Sequence, residues 1–134
     1  MENQKILPII LAVDDSNLAL KLITKILEQD YCVLTANKAE DALKIIYKKP
    51  VKLLLLDVEM PGIDGLELCR TVRNLSQFSQ IPIIMLTAKD EAFDKVQGKI
   101  AGASEYLTKP FKKEQLLNII KKNLNDQNTI SMNT

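Results

Sequence analysis

Lys52-Leu53-Leu54-Leu55-Leu56-Asp57 is the stretch on which the fold turns. Four consecutive leucines show no polar alternation, so the segment has no solvent face, as expected for a central strand covered on both sides. The acid that ends the run is therefore carried to a sheet edge on a stiff, buried strand. Working outward, four more short apolar runs appear: Pro8 to Val13, Tyr31 to Thr35, Pro82 to Leu86 and Ser104 to Leu107. Between and after the five runs come sets of apolar residues at three- or four-residue steps: Leu20, Ile23, Leu27; Ala39, Leu43, Ile46; Leu68, Val72, Leu75; Phe93, Val96, Ile100; and Leu116, Ile120, Leu124. Each set makes one apolar stripe on a helix. A βα unit repeated five times predicts an α/β, doubly wound five-stranded parallel sheet with right-handed crossovers and helices on both faces.

The chain has 134 residues, which fits one domain, and an apolar share of 46% is enough to build a core. Eighteen basic against seventeen acidic side chains leave a formal charge of +1, so charge alone selects neither nucleic acid nor a membrane surface. With no histidine and only Cys32 and Cys69, a histidine-based metal site and a disulfide framework are both excluded. The two thiols read as reduced and ordinary, which suits a soluble cytoplasmic protein. No segment approaches the ~20 apolar residues of a membrane span, and Met1 to Leu7 lacks a signal-peptide core. The packed domain is expected over residues 6–124. The polar stretch from Asn125 to Thr134 is expected to be a disordered tail, and no second domain is seen to act as an output.

In a parallel sheet the carboxyl ends of the strands share one edge, so Asp14-Asp15, Asp57, Thr87 and Lys109 converge there. Asp14 and Asp15 also suit helix capping, Asp57 also suits a turn before Met60-Pro61-Gly62 and Asp64-Gly65, and Thr87 and Lys109 also suit a plain strand residue and a solvated charge. Two adjacent acids repel unless a cation neutralises them. Three together form a hard-oxygen cluster of the kind that holds Mg²⁺ through carboxylates and waters, leaving positions for phosphate oxygens. An aspartate ionised at neutral pH is then a candidate nucleophile, and Lys109 a candidate cation beside it.

In this order and spacing, Val13-Asp14-Asp15, Leu56-Asp57 with Met60-Pro61-Gly62 and Asp64-Gly65, Leu86-Thr87-Ala88, Ala101-Gly102-Ala103, Tyr106-Leu107 and Lys109-Pro110-Phe111 resemble the receiver domain of two-component response regulators, the CheY-like family. The resemblance implies strand order 2-1-3-4-5 and a phosphoacceptor at Asp57. It implies a Mg²⁺ site built from Asp14 (largely through water), Asp15, Asp57 and the Glu59 carbonyl. Lys109 would contact the phosphoryl oxygens, with its bond to Pro110 cis, and Thr87 and Tyr106 would form the switch. The partners implied are a histidine kinase or phosphotransfer protein and a downstream protein bound through the surface of helix 4, strand 5 and helix 5, with no direct nucleic-acid contact. The only catalysis implied is the protein's own phosphorylation and dephosphorylation. Glu59 and Lys89, each two residues beyond a site residue, would flank the path of the hydrolytic water and gate dephosphorylation. The run Thr87-Ala88-Lys89-Asp90 with Asp94-Lys95-Val96 and Tyr106-Leu107-Thr108-Lys109-Pro110-Phe111 further resembles receivers of pilus-motility or chemotaxis-like systems.

Three other readings make distinct demands. A haloacid-dehalogenase-like phosphatase needs a second aspartate two residues after the nucleophile, where this chain has Glu59, and its extra acids follow the lysine rather than lying near the N-terminus. A flavodoxin needs a phosphate-binding first loop of N–H donors, where Asp14 and Asp15 stand. A receiver-fold module that binds partners without phosphorylation has no need of the full set Asp14, Asp15, Asp57, Thr87 and Lys109.

Overall fold

The computed structural model describes residues 6–60, 64–88, 96, 97, 99 and 101–132, with side chains as far as Asn125. The chain runs β1 (Ile9–Val13), α1 (Asn17–Leu27), β2 (Cys32–Ala36), α2 (Ala39–Lys48), β3 (Val51–Asp57), α3 (Gly65–Asn74), a 3-10 turn (Ser76–Phe78) and β4 (Ile83–Ala88). It continues through α4, of which residues 96, 97, 99 and 101 are described as helical, to β5 (Glu105–Lys109) and α5 (Lys113–Met132). The five strands are parallel in the order β2-β1-β3-β4-β5. Four of the runs read from sequence start one residue early, at Pro8, Tyr31, Pro82 and Ser104, and the run at Lys52 starts one residue late; two of the early starts are prolines. Proline has no amide proton for the ladder, so each of those two strands begins at the next residue.

The leucine run divides between the two faces of the sheet. Leu53 and Leu55 join Ile10, Ala12, Ile84 and Leu86 beneath α1 and α5, while Leu54 and Leu56 join Leu11, Val13, Ile83 and Met85 beneath α2 and α3. All four leucines are fully buried, because successive strand residues face opposite ways and both faces are covered. The expected stripes on α1, α2, α3 and α5 point inward through Leu20, Ile23, Leu27, Ile46, Leu68, Val72, Leu116 and Ile120. The fourth stripe differs: Phe93 and Ile100 lie outside the described residues, Val96 is exposed, and the small Ala101 makes the buried contact, its carbonyl accepting from the Cys69 thiol at 3.5 Å. The end of the chain differs too. The backbone of α5 continues to Met132, through most of the stretch expected to be a disordered tail. Once packing of Leu116 and Ile120 has nucleated the helix, each further residue needs only propagation, which polar residues support. No helix among the described residues is long and apolar enough to cross a membrane.

One arginine ties the lower half of this layer together. Arg73, in the last turn of α3, donates from Nε to the Gly102 carbonyl (2.8 Å), from Nη1 to the Ile81 carbonyl (2.6 Å) and from Nη2 to Ser104 Oγ (3.2 Å), which itself accepts from the Ile83 N–H (3.0 Å). Burial pushes the Arg73 pKa down, and three well-placed acceptors offset the cost of desolvating the charge. Gly102 adopts φ 104°, and a Cβ there would stand 2.7 Å from Arg73 Cγ, so the position takes glycine for both reasons.

Candidate functional site

The register of the ladders assembles the site. Val13 pairs with Leu56, so Asp14 and Asp57, one residue further on, stand level at the carboxyl edge; Asp57 pairs with Leu86, and Ala88 with Lys109. Asp57 and Lys109 are the last residues of β3 and β5, Thr87 is the penultimate residue of β4, and Asp14 and Asp15 follow β1. One carboxylate oxygen from each of Asp14, Asp15 and Asp57 lies within 4.8 Å of the others. Asp14 is 1% exposed and Asp57 8%, whereas Asp15 faces solvent.

The capping alternative resolves onto a neighbour. Ser16 is the N-cap of α1, its Oγ accepting from the Ala19 N–H at 3.2 Å, and Asp64 caps α3. Asp14 Oδ1 accepts from the Ser16 N–H at 2.9 Å, which fixes the carboxylate while leaving Oδ2 for the pocket. Lys109 reaches inward from β5 and places Nζ 3.2 Å from Asp14 Oδ2 and 3.2 Å from Asp57 Oδ1. Burial pushes the Asp57 carboxyl up from 3.8 to about 6, against the pull of the Lys109 charge and with the added push of Asp14. Burial works to lower the lysine's pKa, but the Asp57 and Asp14 carboxylates outweigh it and hold the ammonium above its ordinary value. The desolvation of Asp57 is thus only partly met by its cation, leaving the site short of positive charge.

These groups open into a cleft of about 740 Å³ whose lining includes Ser16, Glu59, Met60, Asp64 and Ala88 beside the acids and the lysine. Glu59 therefore belongs to the same cleft; Lys89, expected opposite it, and Pro61-Gly62 lie outside the described residues. Gly65 lets α3 begin against this loop: its N–H bonds the Val58 carbonyl at 3.1 Å, and a Cβ would fall on the Asp57 carbonyl oxygen. Thr87 is fully buried and does not line the cleft. By strand alternation it shares a sheet face with Met85, whose partner is Tyr106, so Thr87 and Tyr106 are diagonal neighbours on the face covered by α3 and Ala101 of α4. The Lys109–Pro110 peptide is cis. Ser16, Met60 and Asp64 were not singled out as site residues from sequence; Ser16 sits directly after the acid pair, but its part in fixing Asp14 needs the backbone geometry.

A doubly wound sheet of order 2-1-3-4-5 with an acidic cluster and an inward lysine at its carboxyl edge defines a CheY-like receiver. The comparisons agree: the response regulator receiver domain matches residues 10–121, and the chain belongs to this family, a class of signalling modules in two-component systems. Protein PilG of Pseudomonas aeruginosa is 40% identical over 113 residues, 84% of each chain. The alkaline phosphatase synthesis transcriptional regulatory protein PhoP of Bacillus subtilis is 47% identical over 103 residues, 76% of this chain and 42% of PhoP. The solved structure of the chemotaxis protein CheY4 of Vibrio cholerae matches with a TM-score of 0.83 at 35% identity, over 87% of this chain and 98% of that one. The oxygen donors of Asp14, Asp15 and Asp57 suit a hard divalent cation such as Mg²⁺.

Proposed function

We propose that this protein is a phosphoacceptor response regulator, phosphorylated on Asp57 in a Mg²⁺-dependent reaction by a histidine kinase or phosphotransfer protein, and that the phosphoryl group switches a protein-binding surface. The observation that carries this is the convergence of three carboxylates, two of them on one lysine, with Lys109 Nζ at 3.2 Å from both Asp14 and Asp57. That arrangement is short of positive charge until a cation enters, and the cation then admits an anionic ligand.

Asp14, Asp15, Asp57 and the Glu59 carbonyl would hold the metal. When bound, Mg²⁺ supplies charge neutralisation for the phosphoryl oxygens. One Asp57 carboxylate oxygen forms the bond to phosphorus as the bond from phosphorus to the donor's imidazole nitrogen breaks, and that nitrogen keeps the electron pair. Lys109, held by Asp14, turns its ammonium toward the transferred oxygens. The Thr87 hydroxyl then moves toward the new charge, and its diagonal neighbour Tyr106 follows. This biases the surface of α4, β5 and α5 read by a downstream protein. The protein's own phosphorylation and dephosphorylation are the only reactions in this reading, the packed domain spans residues 6–124, and ATP-charged donors put it in the cytoplasm.

Metal titration tests the assignment of roles. Asp15→Ala should weaken Mg²⁺ by roughly tenfold or more in calorimetry, while Lys109→Ala and Thr87→Ala keep the metal and weaken the coupling between beryllofluoride binding and partner capture. Equal loss of Mg²⁺ affinity in all three variants would show the roles to be misassigned. Glu59, on the cleft wall, is read together with Lys89 as the gate on the hydrolytic water. Either alanine variant should then lose phosphorylated mass faster than wild type, and unchanged decay in both removes the gate.

A further inference from the structure

At the opposite end of the sheet from Asp57, roughly 20 Å away along β3, lies a second concavity of about 680 Å³. Its floor is set by Pro8, Pro50 and Pro82, which stand immediately before β1, β3 and β4. None has an N–H to offer, and the Pro8 and Pro82 carbonyls already accept from Cys32 and Leu54 at 2.9 Å. Two of the three thus have every backbone polar group occupied or missing, so the floor is apolar as well as stiff. Phe78, Ile81 and Leu124 add apolar wall, with the Phe78 ring held edge-on by Tyr47 at a centroid separation of 5.4 Å. The charged side chains on the lining are Lys49 and Lys52, both exposed, and no acid is among the described lining residues. Since the whole chain carries only +1, this is a local segregation of charge.

An apolar floor with a polar, one-signed rim has the anatomy of a protein interface. The cleft is open, so a small ligand would keep too much of its surface wet to be held there. Strand ends, unlike strand edges, offer no ladder to extend, so an added β-strand is not accommodated; a helix laying an apolar stripe on the floor is. Two lysines without acids repel a basic partner and favour carboxylates on the flanks of that stripe. The preformed floor loses little entropy on binding. We propose that this groove docks an acidic amphipathic helix of a partner protein, independently of the state of Asp57 at the far edge.

The test uses the full chain and a fluorescein-labelled peptide of about 18 residues, long enough to form a helix, with a leucine stripe flanked by glutamates, beside a version with lysine in place of glutamate. Fluorescence anisotropy should show saturable binding of the glutamate peptide to wild type and to Asp57→Asn alike. Binding should be at least about tenfold weaker in the Lys49→Glu/Lys52→Glu double variant and in the lysine peptide. Both lysines are exposed, so the double variant should melt like wild type. Amide shifts on titration should fall on Lys49, Val51 and Lys52 and on residues 76–81. Absence of saturable binding, equal binding by the lysine peptide or the double variant, or shifts located elsewhere would overturn the proposal. So would a wild-type dimer in sedimentation that Phe78→Glu dissociates, since the occupant would then be a second copy of this chain.

Discussion

Incubated with acetyl phosphate and Mg²⁺, the wild-type protein is expected to gain a single acid-labile phosphoryl increment in intact mass, and the Asp57→Asn protein none. Three carboxylates compete for the role of nucleophile, and their surroundings decide between them. Asp14 is 1% exposed, with Oδ1 held by the Ser16 N–H and Oδ2 by Lys109, so a phosphodonor cannot reach it in line. Asp15 is exposed, where a leaving phosphoryl charge would meet water rather than a placed cation. Asp57 opens to the cleft and has Lys109 at 3.2 Å, and a pKa of about 6 leaves it mostly ionised at pH 7.5. Removing the cation instead of the nucleophile should slow the reaction without abolishing it: Lys109→Ala is expected to label roughly 100-fold more slowly, the cost of one preorganised electrostatic contact. An Asp57→Asn protein that gained the same increment would place the nucleophile elsewhere.

The features that sequence revealed are those carried by local pattern. Leu53 to Leu56 announced a strand buried on both faces, and the acids and lysine at the ends of the apolar runs converge because a parallel sheet leaves them no alternative. What stayed hidden depends on distance in three dimensions. Arg73 reads in sequence as the basic last turn of an amphipathic helix; its bonds to Ile81, Gly102 and Ser104 exist only because α3, the foot of β4 and the end of α4 meet. The unequal burial of Asp14 and Asp15 follows from the direction in which β1 gives way to α1, which two identical adjacent residues cannot signal. The exposure of Val96 escaped periodicity for a similar reason, since an apolar residue at helical spacing does not say whether a sheet lies beneath it. In sequence Pro8 and Pro82 read only as the first residues of two apolar runs, and only the sheet order brings them side by side with Pro50.

Without divalent cations, Asp57→Asn is expected to make the protein more thermostable, by an amount that depends on pH. The folded-state pKa of Asp57 is raised, from 3.8 to about 6, chiefly by burial. Below 3.8 the carboxyl is neutral in folded and unfolded chains and contributes no difference. Between 3.8 and about 6 the unfolded chain ionises while the folded one resists, so the charged carboxylate costs stability progressively. Above about 6 the cost is constant, on the order of 2–3 kcal/mol. Lys109 does not change this window, because its raised pKa contributes stability below 10.5 that is lost only as pH rises beyond. An asparagine keeps the shape and its oxygen can still accept from Lys109, so the substitution removes the charge without leaving a cavity. Thermal unfolding in EDTA should therefore give nearly equal Tm values at pH 3.5 and an advantage of roughly 5–10 °C for Asp57→Asn at pH 7.5. Adding Mg²⁺ should shrink the gap by stabilising the folded wild type in proportion to its occupancy. A gap that did not change with pH, or a less stable variant at pH 7.5, would mean that the Lys109 ion pair outweighs burial and that the protein in EDTA is not strained by the charge of Asp57. The expected result instead makes the cost of keeping three acids together the reason the site takes up a cation, which in turn admits the phosphoryl group.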